Sequence, residues 1–236
     1  MNYLQTPVNF MLKTATGLVC RVHGDELQRI PANGPVILVA NHINFLDAPI
    51  MLSRLHPRPV TGLAKVETWD NPLLGMLFNI WEIIPIRRGE ADLEAFRLAE
   101  TALAQGKMLT VAPEGTRSGN GAMQKGKPGM ILLALRSGAP ILPLAFHGNE
   151  TVWRSLRRLR RAPFHVRVGN PFTIDSHGQA LSRDVREAIT DEVMYQIAAL
   201  LPPAYRGVYA DLSQATENYL RFAPGVESNL LRANSL

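Results

Sequence analysis

The stretch Val36-Ile37-Leu38-Val39-Ala40 constrains this chain more than any other, because five apolar residues between Gly34-Pro35 and Asn41 are too few for a helix and do not alternate. Such a run predicts a strand covered on both faces, as in a parallel sheet with helices on either side. It ends in Asn41-His42-Ile43-Asn44-Phe45-Leu46-Asp47, and Ala48-Pro49-Ile50-Met51-Leu52 continues as an expected helix. Five residues across a strand-to-helix turn can fold the Asp47 carboxylate back onto the His42 imidazole. That makes an oriented general base: one ring nitrogen donates to the carboxylate, and the other can take a proton from a hydroxyl or from water. The same spacing equally suits turn and helix-cap roles for Asn41 and Asp47, with His42 filling the loop.

Further short apolar runs alternate with helical patterns. Strands are expected at Val19–Val22, Val60–Ala64, Ile83–Ile86, Met108–Ala112, Ile141–Phe146 and Phe164–Val168, with Leu27–Ile30 as a further strand or hairpin arm. Helices are expected over Leu4–Leu18, where Phe10, Met11 and Leu18 supply an apolar face, and over Pro72–Trp81, which has hardly any polar face and is read as buried or membrane-facing. Helical patterns also cover Glu90–Gln105, Gly129–Arg136 and about Arg183–Leu201. The fold class is therefore α/β, with a largely parallel sheet flanked by helices and an N-terminal amphipathic helix. The 236 residues carry no linker-like segment, so one domain is expected, with an appendage at about 4–18, a core at about 30–147 and a C-terminal strand and helices at about 164–221.

In such sheets the loops at the carboxyl ends of strands build the site. Three of the expected strands end in His42, in Arg87-Arg88-Gly89 and in Pro113-Glu114-Gly115-Thr116-Arg117-Ser118. Together they offer a base with its orienting acid, several arginines, and a Gly-Thr loop whose backbone N–H groups can face an anion. A phosphate-bearing hydroxyl compound suits that set. Each part also has a plain structural role available: solvated strand ends for Arg87 and Arg88, a local ion pair for Glu114 and Arg117.

Taken in order, Asn41-His42 with Asp47, Ile84-Pro85-Ile86-Arg87-Arg88-Gly89, Pro113-Glu114-Gly115-Thr116-Arg117-Ser118 and Ala139-Pro140-Ile141-Leu142-Pro143-Leu144 resemble the four motifs of the glycerolipid acyltransferases, above all the 1-acylglycerol-3-phosphate O-acyltransferases. The resemblance covers roughly residues 30–147; Lys65 and Gly126-Lys127-Pro128-Gly129 look like secondary features of that family. It implies acyl transfer from a coenzyme A or acyl carrier protein thioester to the sn-2 hydroxyl of lysophosphatidic acid, giving phosphatidic acid in phospholipid biosynthesis. No metal and no bound cofactor are implied. By the same resemblance His42 is the general base and Asp47 its orienting carboxylate, while Arg88, Glu114, Gly115, Thr116 and Arg117 bind the phosphorylated glycerol. Asn44 stands where many members carry serine, and Arg87 where many carry aspartate, which bears on the acceptor head group.

Composition narrows partners and compartment. The net charge of +5 is modest, and five arginines (Arg154, Arg157, Arg158, Arg160, Arg161) fall in one short stretch without an acid. With no stacking platform or nucleic-acid-binding motif beside it, that run is assigned to an anionic membrane surface rather than to nucleic acid, a solvated face being the plainer alternative. No uncharged apolar run reaches the roughly 18 residues a spanning helix needs, so a peripheral location on the cytoplasmic face of a membrane is expected. Cys20 is the only cysteine, and His23, His56, His147, His165 and His177 are scattered without metal-ligand spacing. Two further readings share the same residues: acyl transfer to another lysolipid or alcohol, and hydrolysis of a thioester or lysolipid by water that His42 activates.

Overall fold

The computed structural model describes residues 3–89 and 92–233. Its strands are β1 (Cys20–His23), β2 (Val36–Ala40), β3 (Val60–Lys65), β4 (Ile84–Ile86), β5 (Met108–Val111), β6 (Ile141–His147), β7 (Ala162–Val168), β8 (Thr173–Ile174) and β9 (Leu220–Arg221). Its helices are α1 (Gln5–Val19), α2 (Asp47–Leu55), α3 (Pro72–Ile80), α4 (Leu93–Ala104), α5 (Gly129–Ser137), α6 (Val152–Arg157), α7 (Arg183–Ala198) and α8 (Asn229–Arg232). The first seven strands form one sheet in the order β1-β7-β6-β2-β5-β3-β4, and β8 pairs with β9. From β6 to β4 every neighbouring pair is parallel; only β7 meets β6 antiparallel, and β1 runs parallel to β7.

β2 is central to the sheet, and its residues Val36–Val39 are at most 3% exposed. Ile37 and Val39 belong to the apolar layer shared with α4, α5 and α7; Val36 and Leu38 belong to the opposite layer, with Ile50, Met51 and Leu55 of α2. The unbroken apolar run is thus explained by burial on both faces. Local chemistry sets the helix starts. Asn71 accepts the N–H groups of Leu73 and Leu74 ahead of Pro72, and Asp92 accepts that of Ala95, each satisfying a donor that the first turn would leave open.

One element differs from the sequence pattern. Leu27–Ile30 is no strand: Asp25–Arg29 form a 3-10 turn that drops Leu27 into the core while Glu26 accepts the Val168 N–H and Arg29 donates to the Val168 carbonyl. Side chains thereby supply the bonds at the end of β7 that another strand would have supplied. The helix expected over Pro72–Trp81 is present as Pro72–Ile80; it is not enclosed in the core, since it buries only Gly75 and Ile80 and leaves Leu73 68% and Met76 55% exposed, and Trp81 just beyond it is buried. Residues 90 and 91, with which the next helix was expected to begin, lie outside the described residues.

α1 lies against α2 and also reaches α3: Gln5 Nε2 donates to the Ile80 carbonyl, and the Trp81 indole N–H donates to Asn9 Oδ1. Its outer side carries Phe10 at 74% and Leu18 at 72% exposure. Among the described residues no helix is long and apolar enough to cross a membrane.

Candidate active site

β2, β5, β6, β3 and β4 end on the same edge of the sheet, and the expected site residues are distributed over the loops that leave it. Asn41, at the end of β2, is buried and continues the ladder with its side chain, donating Nδ2 to the Phe146 carbonyl and accepting the Phe146 N–H. The ends of β2 and β6 are pinned together before the chain turns at His42.

Asp47 opens α2 and folds back as the five-residue spacing requires. His42 Nδ1 lies 2.7 Å from Asp47 Oδ2, which also accepts the backbone N–H groups of Ile43 at 2.7 Å and Asn44 at 3.1 Å. Three nitrogens thus converge on one carboxylate oxygen at the start of a helix. Because a carboxylate only accepts, Nδ1 is assigned the proton and Nε2 the lone pair. No hydrogen-bond partner is recorded for Nε2 among the described residues, and the His42 side chain keeps 20% of its exposure while Asp47 keeps 5%. The pair is a base facing outward on a buried acid.

Glu114 joins the loop after β5 to this turn. It is 1% exposed, with Oε1 accepting the His42 N–H and Oε2 the Gln124 N–H, both at 2.9 Å. Burial pushes its carboxyl above the ordinary carboxylate range, and the Gln124 and His42 N–H groups pull the other way. Ser118 N–H donates to the His42 carbonyl and Gly119 N–H to that of Ile43, so the loop is zipped along the turn on its other side as well. Between these anchors Gly115 adopts φ +67°, and a Cβ there would lie 3.1 Å from the Lys127 side chain. Thr116 and Arg117 are exposed, and no intramolecular acceptor is recorded for their backbone N–H groups among the described residues.

Arg88, after β4, sits within electrostatic reach of Arg117. Partial desolvation, then the like charge of Arg117, lowers its guanidinium from the ordinary arginine value, while Glu67 opposes the shift. Neither arginine forms an ion pair among the described residues, whereas nearby Lys65 pairs with Glu67 at 2.9 Å. An anion bound between them would relieve their repulsion, part of which Glu67 already offsets at Arg88.

The structure thus brings His42 to Asp47, Glu114 to the His42 backbone, and Arg88 to Arg117. Asn44 turns inward, donating Nδ2 to the Asn149 carbonyl at 2.9 Å and accepting the Leu46 N–H at 2.9 Å. Sequence reasoning missed Asn149, which follows β6 and carries no motif of its own. It also missed that three of the scattered histidines form a stack: His23, His165 and His147 lie ring on ring at 4.4 and 4.5 Å across β1, β7 and β6. Burial, then the charges of His165 and Arg167, lower His147 to about 4, so it stays neutral near pH 7. The cross-strand pairing of His147 with His165 was the signal, and it appears only once the register is known. A cavity of about 460 Å³ between Leu4 of the N-terminal segment, Trp69 and α3 is lined by none of the residues around His42.

A family model described as Acyltransferase matches residues 20–147, more than half of the chain. The 1-acyl-sn-glycerol-3-phosphate acyltransferase of Limnanthes alba is 32% identical over 163 residues, covering 67% of this chain and 56% of that protein. The lyso-ornithine lipid O-acyltransferase of Pseudomonas aeruginosa is 29% identical over 175 residues, covering 66% of each. Among solved structures, the 1-acyl-sn-glycerophosphate (LPA) acyltransferase PlsC from Thermotoga maritima superposes with a TM-score of 0.58 at 23% identity, over 81% of this chain and 77% of that one, a likeness of fold. The chain spans little more than half the length of the plant relatives it matches. With three of the motifs in loops at one edge of the sheet, the fourth in β6 beside β2, and the family model over residues 20–147, the chain belongs to the acyltransferase family.

Proposed function

We propose that this chain transfers a fatty acyl group from a coenzyme A or acyl carrier protein thioester to the sn-2 hydroxyl of lysophosphatidic acid. The observation that carries this is the His42–Asp47 pair, with its unpartnered Nε2, on the same edge as the unpaired cations Arg88 and Arg117. His42 Nε2 takes the hydroxyl proton as the acceptor oxygen attacks the thioester carbonyl; the C–O bond forms, the C–S bond breaks, and the imidazolium returns its proton to the departing thiolate. No acyl-enzyme is required. Arg88, Arg117 and the free N–H groups of Thr116 and Arg117 bind the acceptor phosphate, with Gly115 giving the loop its turn. Glu114 serves that loop from beneath, as its buried brace. The chemistry is complete with the two substrates and calls for no bound cofactor or metal.

A lysolipid without a phosphate is the second reading, favoured by the lyso-ornithine lipid relative. Product analysis with labelled acyl thioester against a panel of lysolipids and water separates the readings. Labelled phosphatidic acid as the main product supports the proposal; free fatty acid alone, or acylation restricted to phosphate-free lysolipids, overturns it.

Both substrates are amphiphiles, and we propose that the chain meets them at the surface of an anionic bilayer, on its cytoplasmic side. Exposed Phe10 and Leu18 on α1, Leu73 and Met76 on α3, and Trp153 on α6 offer apolar area; all five arginines of 154–161 are exposed, with Arg161 donating to the Gly17 carbonyl in α1. Each basic side chain near such a surface contributes about 1 kcal/mol, and the apolar side chains add a part that salt does not screen. In liposome co-sedimentation, binding is expected to rise with anionic lipid and to fall only partly in high salt. Binding indifferent to lipid charge, or retained when all five arginines become glutamine, removes this surface from consideration.

A further inference from the structure

We infer that Asn149 is a positioning residue for the His42–Asp47 pair, acting through the oxygen of Asp47 that faces away from the histidine; the inference rests on the acyl-transfer reading above. Asn149 lies two residues beyond His147, the last residue of β6, and is fully buried. Its Nδ2 donates to Asp47 Oδ1 at 2.7 Å and to Asn44 Oδ1 at 3.2 Å, and Asn44 Nδ2 returns a bond to the Asn149 carbonyl. The turn between β2 and α2 is thereby fastened to the end of β6 at the carboxylate itself.

Two observations point past packing. The oxygens of Asp47 divide their partners: Oδ2 takes His42 and two backbone N–H groups, and Oδ1 takes only Asn149 among the described residues. The amide therefore decides how far the carboxylate rotates and where its charge sits. The second is that Asn149 Oδ1 is buried with no hydrogen-bond partner among the described residues. Buried amides are ordinarily satisfied at both ends, and an orphaned one asks for a reason. Turning the amide over would set its oxygen against a carboxylate that only accepts, so Asp47 dictates the orientation. The backbone is equally specified, since Gly148 holds φ +101° and a Cβ there would lie 2.8 Å from the Pro163 carbonyl oxygen.

The Asn149 N–H draws charge of Asp47 toward Oδ1 and away from the oxygen that faces His42. Without it the carboxylate is less well aimed, which lowers kcat, and it holds the imidazolium more tightly, which moves the acid limb of the kcat/KM profile to higher pH. The other acid bonded to the His42 residue, Glu114, approaches its backbone N–H and is unchanged in the variants.

The test compares Asn149→Leu, which keeps the volume without a donor, with Asn149→Ser, which keeps a donor in less volume. Melting temperatures are measured alongside; if the leucine variant does not fold, Asn149→Ala takes its place against serine. The donor-free variant is expected to lose about 10- to 100-fold in kcat, by analogy with the loss of the hydrogen-bond partners that orient metal-bound histidines and carboxylates. Its acceptor KM should stay within about threefold, because the group removed does not touch the acceptor. Its acid limb should move up, and the serine variant should lie nearer to wild type on both measures. A pH titration of the His42 imidazole by NMR should move the same way with no substrate present. An unmoved titration and acid limb, or leucine outperforming serine, overturns the inference and makes Asn149 a packing residue. His42→Ala separates the two layers: turnover retained there defeats the general-base role of His42 in the acyl-transfer reading, while the substrate-free titration judges Asn149 regardless of the acceptor.

Discussion

His42→Ala is expected to lower acyl transfer by at least about 100-fold, the usual worth of a general base, with little change in melting temperature. The two halves of that expectation have separate causes. Turnover falls because Nε2 of His42 is the unpartnered basic nitrogen presented by the pair. Stability holds because the side chain is partly exposed and Asp47 keeps its bonds from Ile43, Asn44 and Asn149 when the imidazole is gone. Removing Asp47 instead would take the acceptor from the buried Ile43 N–H and from one N–H of the buried Asn149 amide, at about 1–3 kcal/mol each, and from the half-buried Asn44 N–H, so loss of activity there would be mixed with loss of fold. A purified His42→Ala protein with near wild-type turnover would sink the central claim, whatever the acceptor.

Arg88→Ala and Arg117→Ala are expected to reduce kcat/KM for a phosphorylated acceptor by about 10- to 150-fold each, since charge-assisted contacts are worth about 1.5–3 kcal/mol. Acyl-donor KM should change little. The double variant should lose less than the sum, because both side chains serve one anion and repel one another in its absence. The decisive comparison is a neutral lysolipid of the same chain length. Equal losses on both acceptors would mean that the arginines shape the loop rather than bind phosphate, and lysophosphatidic acid would lose its claim as substrate.

Much of the architecture was legible because its signals are local. The run Val36–Val39 announced a strand covered on both faces, and the five residues from His42 to Asp47 allowed a turn that closes on itself. Where two outcomes share a local pattern, the pattern was silent. Leu27–Ile30 has the composition of a strand arm, yet Glu26 and Arg29 satisfy the end of β7 and the backbone turns helical. The apolar helix α3 reads equally as core or as surface, and only the elements packed around it decide that Leu73 and Met76 face outward.

The sequence by itself determined the α/β alternation and the order of the motif-bearing loops, and it allowed the His42–Asp47 pair, because the elements and the turn depend on residues a few positions apart and on backbone preferences that act there. Tertiary structure alone decided what surrounds them. Glu114 stands 72 residues from the His42 N–H it accepts, and Asn149 stands 102 residues from the carboxylate it holds. Neither spacing carries a periodic or capping signal. Glu114 became buried beneath the His42 turn because the loop after β5 folds down on the turn after β2, and Asn149 met Asp47 because β6 pairs with β2 in a register that sets Ala40 opposite Leu144. Strand order and register are settled by burying both faces of the whole sheet at once, and no single stretch of the chain encodes that.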